Sequence, residues 1–467
     1  LLAGIPQSPN NYSPVKNYNL SKERQKIVLK LMLNNKKITK EEFEEALNTE
    51  LKIIGKKEDS NYISINYFRD SVLEELKTIT EVPASTIETG GLKIYTTLDA
   101  TAQKSLEDSV YSYINDDTKI ETAAIMMDPN TGEVLALIGG NNYSKSQFNR
   151  ATKAKRQVGS TMKPLLYYSA LESGFTSSSS FTSEKTTFTF SGGKSYSPKN
   201  YNDRYAEGPL SMEAAIAYSD NIYAVKTHLF LGENNLINTA KRLGITSNLS
   251  EVPSLALGTS EISLIEMTSA YSCFASLGYK TTPHFIKKIE DSKGNILYEN
   301  KEEKELLLNP SLTYILNEML TSTYNKNFIN YNYPTLISLL PQITHKYAIK
   351  SGTTDTDLLI MGYNKNVVLG VWNGYDNNTK IDSSEYSHHK NIWIDTMESY
   401  FKQKEASWYE IPNNVVGVLT DPITGALATD ETQNKEMFFY LKGTEPSAES
   451  NYKDLEAVFQ EENNSNT

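Results

Sequence analysis

One cysteine and five histidines in 467 residues remove whole classes of chemistry. A single thiol, Cys273, cannot close an internal disulfide, and its apolar helical surroundings predict a buried, inert side chain. Histidines this scattered give no metal-ligand spacing, so neither a metal nor a cofactor is expected. No apolar run reaches the roughly 18 to 20 residues that cross a bilayer, and no signal-peptide pattern is present. Long Lys/Arg runs are also missing, and 46 basic against 57 acidic residues leave a formal net charge of −11, which argues against a nucleic-acid partner. The 39% hydrophobic content suffices for an ample core and two or three domains.

Against this background three short patterns stand in fixed order: Ser160-Thr161-Met162-Lys163, Ser219-Asp220-Asn221 and Lys350-Ser351-Gly352-Thr353. Each alone is ordinary, as an exposed helix pair, a helix-ending turn or a solvated strand end. Together they hold the parts of an acyl-transfer site. A serine hydroxyl needs a base within reach and a polarised pocket for the oxygen that turns negative in the tetrahedral intermediate. The spacing predicts a helix over 161–171, with Pro164 tolerated in its first turn and Gly174 as its stop. Positions i and i+3 share a face, so the Lys163 amine should lie beside the Ser160 hydroxyl. Burial and a neighbouring cation, Lys350, can lower the Lys163 pKa until it works as a base, and the helix N-terminus suits an oxyanion.

A second predicted helix, over 209–218, places Ser219 on a loop at the cleft wall. There Ser219 can relay a proton between Lys163 and a leaving amine, and the Asn221 amide can bind a peptide backbone. Residues 350–353 read as a strand, whose side chains alternate faces. Lys350 then faces the cleft and Gly352 leaves room for substrate. Ser351 and Thr353, with Thr354 beside them, offer hydroxyls to a terminal carboxylate, and the Thr353 N–H is the expected second oxyanion donor.

The ordered trio is shared by penicillin-binding proteins and class A β-lactamases. From about 91 to 446 the chain resembles the transpeptidase half of a class A, bifunctional penicillin-binding protein. The likeness is carried by AAIMMDPNTGEVLALIGG (123–140), RQVGSTMKP (156–164), EGPLSMEAAIAYSDN (207–221), ALGTSEISLIEMTSAYSCFASLGY (256–279) and GVWNGYD (370–376). Residues 1–51 are similar to the end of that family's glycan-polymerising domain, whose acidic catalytic residues lie upstream, so no glycosyltransfer is expected from these residues. The resemblance implies a serine D,D-transpeptidase with Ser160 as nucleophile, acting on peptidoglycan stem peptides ending in D-Ala-D-Ala and acylated by β-lactams. Hydrolysis of the same intermediate, as a carboxypeptidase or β-lactamase, and slow-turnover sensing of β-lactam or glycan are the rival readings. The resemblance also implies a single-pass membrane anchor outside these residues, an extracytoplasmic catalytic domain and cell-wall synthesis proteins as partners. Two departures stand out. Ile349 replaces a glycine before Lys350 and is expected to stiffen the strand edge where substrate docks, and Asp357-Leu358-Leu359-Ile360 lacks the tryptophan the family commonly has there.

The expected organisation is a polymerase-domain remnant at 1–60, a connector at 61–117, the transpeptidase domain at 118–408, a small β region at 409–446 and a disordered acidic tail at 447–467. Helices are predicted from 21, capped by Asn19 or Ser21, and from Thr39, where Thr39 and Glu42 make a capping box. A further helix is predicted over 62–75, and a strand and amphipathic helix over 90–115. Strands are predicted at 122–127 and 133–138 around a turn at 128–132, and later at 346–353, 358–363 and 367–372. A hairpin is expected at 421–425. This order suits an α+β fold, a mostly antiparallel sheet covered by helices. Tyr167, Tyr168, Tyr201 and Tyr205 read as core and groove wall.

Overall fold

The computed structural model of the chain describes residues 1–49, 65–114, 118–447 and 455. It divides into two compact units, Leu1–Asn61 and Tyr62–Thr467. In the first, helices run over Tyr18–Asn34 and Lys40–Asn48. The second begins with the expected capping box, in which Thr39 Oγ1 accepts from the Glu42 N–H and the Glu42 carboxylate accepts from the Thr39 N–H at 2.7 Å. The first starts at Tyr18 behind Asn17, so neither Asn19 nor Ser21 caps it. The Ser21 N–H already donates to the Asn17 carbonyl as a helical residue does.

The second unit is built on a five-stranded sheet of β1 (Glu121–Met127), β2 (Val134–Ile138), β3 (Ala348–Thr353), β4 (Asp357–Tyr363) and β5 (Val368–Gly374). Their order is β3-β4-β5-β1-β2, every pair is antiparallel, and β3 is an edge. The strands are apolar on both faces because both are covered. Ala123, Ile125 and Met127 enter one core cluster, while Ala124 and Met126 enter another. Helices α1 (Ala100–Tyr113) and α6 (His388–Phe401) cover the second face. The first lies under α5 (Leu264–Ala275), in a layer with α2 (Lys163–Glu172), α3 (Met212–Tyr218) and α4 (Asn221–Leu231). The α+β arrangement expected from the sequence is the one the chain adopts. Cys273 is fully buried in α5, and burial pushes its thiol up to about 12.

Several boundaries differ from expectation. The helix expected over 62–75 runs over Ile65–Leu76, with 62–64 outside the described residues. Pro209 lies in a short strand, Gly208–Ser211, and α3 starts only at Met212, capped by Ser211. The connector strand Lys93–Thr96 pairs with Ile286–Glu290, far along the chain. The turn expected at 421–425 is present, closed by the Gly425 N–H to Asp421 carbonyl bond and flanked by a short antiparallel bridge of Thr420 with Leu427, while Val415–Thr420 pairs along its length with Glu436–Leu441. That turn faces α3: the Ser211 N–H donates to the Ile423 carbonyl at 2.7 Å and the Ser211 hydroxyl to the Pro422 carbonyl at 3.0 Å. The Ser178 hydroxyl donates to the Gly425 carbonyl at 2.6 Å. Of the expected acidic tail, only Ser447 and Leu455 lie within the described residues, and Leu455 is buried. Tyr167, Tyr168 and Tyr205 are buried as expected, whereas Tyr201 is 72% exposed.

Candidate active site

Ser160 lies in a single 3-10 turn, Gly159–Met162, that leads straight into α2, so the regular helix begins at Lys163, later than expected. Glycines press other backbone against this turn. Gly159 has φ +56, and its N–H donates to the Gly258 carbonyl at 3.1 Å. A Cβ on Gly258 would fall 2.0 Å from the Gly159 carbonyl oxygen. A Cβ on Gly352 would fall 2.4 Å from the Val158 carbonyl oxygen and 3.1 Å from the Thr161 nitrogen. Gly352 therefore serves the close approach of β3 to the nucleophile turn, and the space expected for substrate at this position is filled by protein.

Lys163 is fully buried, and its amine donates to the Ser219 carbonyl at 2.6 Å, Asn221 Oδ1 at 2.7 Å, Ser219 Oγ at 3.2 Å and the Asp220 carbonyl at 3.2 Å. Ser160 Oγ is not among its acceptors, contrary to the expected i, i+3 pair. A buried ammonium needs acceptors, and the second motif presents four at once. Burial lowers the Lys163 pKa to about 7, against the opposing charge of Asp220. Ser219 ends α3 in the left-handed region, at φ 56 and ψ 43, a conformation that costs a non-glycine residue about 1–2 kcal/mol.

A polar network holds this conformation. Asp220 caps α4 by accepting from the Tyr223 N–H at 2.8 Å, and it also accepts from the Ser183 hydroxyl and the Asn200 amide, both at 2.6 Å. Asn200 Oδ1 in turn accepts from the Asn221 N–H at 2.7 Å, and the Asn221 amide donates to the Lys199 carbonyl at 2.6 Å. Asn200 belongs to none of the three motifs. It lies in an irregular segment with no spacing relation to the serines, and only the fold brings it to them.

On β3, Lys350 is fully buried, and its amine donates to the Ser351 carbonyl at 2.7 Å. Its pKa is pushed well below the usual lysine range by burial first, then by the charges of Lys163 and Lys390. The Thr354 N–H donates to the Asp357 carbonyl at 2.9 Å. Antiparallel ladders alternate, so the Thr353 N–H points off the free edge of the sheet. A Cβ on Gly159 would lie 3.1 Å from that nitrogen, which puts it beside the Ser160 turn.

Three expectations for this strand are corrected. Ile349 faces away from Lys350, buried in the core with Ile360 and Trp393, so it does not stiffen a docking edge. The Thr354 hydroxyl accepts from the Asp357 N–H at 2.9 Å and the Thr356 N–H at 3.2 Å, which commits it to the turn after β3. Ser351 is buried on the face it shares with Ile349, while Thr353 is exposed. As for the tryptophan absent near 359, Leu359 pairs directly across from Trp372, so an indole reaches that face from β5. Trp372 Nε1 donates to the buried Asp357 carboxylate at 2.8 Å, Arg156 Nε donates to it at 2.6 Å, and the guanidinium lies 5.2 Å from the indole centroid.

Residues 122–382, which contain all three motifs, match the family model of the penicillin-binding protein transpeptidase domain. The chain belongs to this family. Penicillin-binding protein 2D of Bacillus subtilis is 41% identical over 449 residues, with 96% of this chain and 65% of that protein covered. Penicillin-binding protein 1A of Aquifex aeolicus is 30% identical over 539 residues, covering 96% of this chain and 71% of that protein. The chain thus spans just under two thirds of the length of the Bacillus protein. Among solved structures, penicillin-binding protein 1A from Haemophilus influenzae shares the fold with a TM-score of 0.79 at 23% identity, over 96% of this chain and 85% of that one. PonA1 from Mycobacterium tuberculosis, in complex with penicillin V, superposes with a TM-score of 0.63 at 22% identity, over 74% of this chain and 96% of that one. Among the described residues of this penicillin-binding protein family member, no helix is long and apolar enough to cross a membrane.

Proposed function

We propose that this penicillin-binding protein is a serine D,D-transpeptidase that cross-links peptidoglycan stem peptides ending in D-Ala-D-Ala. The observation that carries the reading is the buried Lys163 amine, poised near neutrality and bonded to Ser219 and Asn221 beside the Ser160 turn. A lysine that can lose its proton near pH 7 is a competent general base. Ser160 Oγ attacks the penultimate carbonyl as its proton passes to Lys163, and the N–H groups of Ser160 and Thr353 receive the oxyanion. Collapse breaks the peptide bond, and the departing D-Ala amine takes its proton from Lys163 through the Ser219 hydroxyl, 3.2 Å from the amine. The exposed Thr353 hydroxyl at the strand edge meets the terminal carboxylate. An amine from a neighbouring stem then attacks the acyl ester, forms the cross-link and frees Ser160.

β-Lactams acylate Ser160 by the same route, as cyclic amides whose ring opening replaces D-Ala departure. Penicillin V bound to PonA1, a protein of the same fold, supports this. The protein acts on the extracytoplasmic face, held by a membrane anchor outside these residues and working among other cell-wall synthesis proteins. The test is intact mass after incubation with a penicillin, beside a Ser160→Ala variant. One stable adduct on the parent and none on the variant is expected; an adduct that survives in the variant removes Ser160 as nucleophile. Products formed from a stem-peptide thioester and a D-amino acid separate transfer from hydrolysis, and free acid alone would refute the transpeptidase.

A further inference from the structure

The first N–H groups of a helix have no partner inside it and must be satisfied from elsewhere. At α4 two buried side chains divide that task. Asn200 Oδ1 accepts from the Asn221 N–H at 2.7 Å and the Ile222 N–H at 3.4 Å, and the Asp220 carboxylate accepts from the Tyr223 N–H at 2.8 Å. The two side chains also bond each other, with Asn200 Nδ2 donating to Asp220 at 2.6 Å. The same Nδ2 donates to the Arg204 carbonyl at 3.1 Å and the Ser183 hydroxyl at 3.3 Å. Because Oδ1 faces the helix N–H groups, the amide has one orientation, and its donor end is turned to the carboxylate.

The residue before it applies the same logic to Asn221. The Lys199 carbonyl can only accept, so it holds Asn221 Nδ2 at 2.6 Å and leaves Asn221 Oδ1 facing the Lys163 amine at 2.7 Å. Ser219 Oγ, the other motif side chain bonded to that amine, belongs to the left-handed residue directly before Asp220. A non-glycine residue stays in that region only while its surroundings dictate it. Asn200 is not among the acceptors of Lys163, so it acts on the amine through Asp220 and Asn221.

We infer that Asn200 is a positioning residue for acyl transfer, whose amide holds Asp220 and Asn221 in the arrangement that aims Ser219 Oγ and Asn221 Oδ1 at the Lys163 amine. The inference rests on the acyl-transfer reading above and adds to it a residue outside the three motifs. Without the Asn200 amide a buried carboxylate loses a donor and two helix N–H groups lose their acceptor. The acceptors around Lys163 then loosen, which slows proton transfer from Ser160. The non-covalent fit of the ligand, made at β3 and the Ser160 turn, is left as it was.

The test is acylation of Ser160 by a fluorescent penicillin at rising concentration, which separates the limiting rate constant from the dissociation constant of the non-covalent complex. It is run on the parent, Asn200→Ala and Asn200→Asp, with thermal unfolding beside each. In Asn200→Ala the limiting rate constant should fall about tenfold to a hundredfold, the equivalent of one hydrogen bond to a charged group, while the dissociation constant stays within about threefold. Asn200→Asp keeps the acceptor for the helix N–H groups but sets a second carboxylate against Asp220, so its rate should fall as well. Adding Asp220→Asn to it turns the bond around and should restore part of the loss. An unchanged limiting rate constant in folded Asn200→Ala overturns the inference. So does a loss confined to the dissociation constant, because Asn200 would then only shape the cleft. If Asn200→Ala does not fold, the exchanged pair decides, and no recovery over Asn200→Asp alone overturns the inference. If the penicillin does not modify the parent at Ser160, the acyl-transfer reading fails first and takes the inference with it.

Discussion

Replacing Gly352 by alanine tests how tightly β3 and the nucleophile turn are coupled. The new Cβ would stand 2.4 Å from the Val158 carbonyl oxygen, and neither that oxygen nor the Thr161 nitrogen at 3.1 Å belongs to a side chain that can swing aside. Restoring an ordinary contact means moving strand or turn by about 1 Å. Overpacking of this kind costs about 1–3 kcal/mol of stability. The catalytic cost is the more telling one, because a displacement of about 1 Å at reacting groups lowers rates about a hundredfold, or roughly 2.7 kcal/mol of transition-state stabilisation. The movement would carry the Thr353 N–H away from the oxygen it is proposed to receive. The assay is the acylation rate constant for a fluorescent penicillin, with thermal unfolding in parallel. A rate within threefold of the parent, in a folded Gly352→Ala protein, would refute the claim that this glycine sets the register of strand and turn.

Acylation should rise with pH and fall away as pH drops through about 7, because Lys163 must be neutral to accept the Ser160 proton. A rate profile flat across the neutral range would remove Lys163 as the base. Asp220 holds the Lys163 pKa up, so Asp220→Asn should move the midpoint of that profile to lower pH, besides weakening the bonds to Ser183 and Asn200; a midpoint at higher pH would contradict the assigned sign. Arg156→Met leaves the buried Asp357 carboxylate without its cation and should destabilise the fold by about 3–5 kcal/mol, read from urea unfolding, with slower acylation as the turn after β3 loosens. Little change in the unfolding midpoint would mean that Trp372 and the Thr356 hydroxyl, which donates to the same carboxylate at 2.7 Å, suffice to hold Asp357.

The residues legible in advance were those whose chemistry is rare and whose spacing is local. Ser160, Lys163, Ser219 and Lys350 announce themselves by type and order, and the sheet strands by apolar runs between turn residues. What stayed hidden depends on partners distant in sequence. Lys163 donates to the second motif because a buried amine follows its acceptors, which helical spacing does not encode. Gly352 resembles a gap for substrate until Val158 and Thr161 are seen against it. Ile349 reads as a stiffener of the docking edge by its β-branching alone, until Ile360 and Trp393 are seen packed on its own face of the strand. The turn at 421–425 was legible in its composition and carries a short antiparallel bridge from Thr420 to Leu427, but the strand that pairs along the whole of Val415–Thr420 arrives only at Glu436. Asn200 carries no motif at all.

The turn at 421–425 also determines where this protein can be cut. Helix α3 is seven residues long, a rod of about 10 Å, with its first turn fastened to Pro422 and Ile423 through Ser211 and its last residue passing directly into Ser219. A truncation placed where the motifs end would remove the fastening and keep every catalytic side chain. Such a shortened enzyme would look complete in sequence and still lose the anchor that sets the height of Ser219 against the Lys163 amine. For this chain the practical domain boundary lies beyond the C-terminal strands.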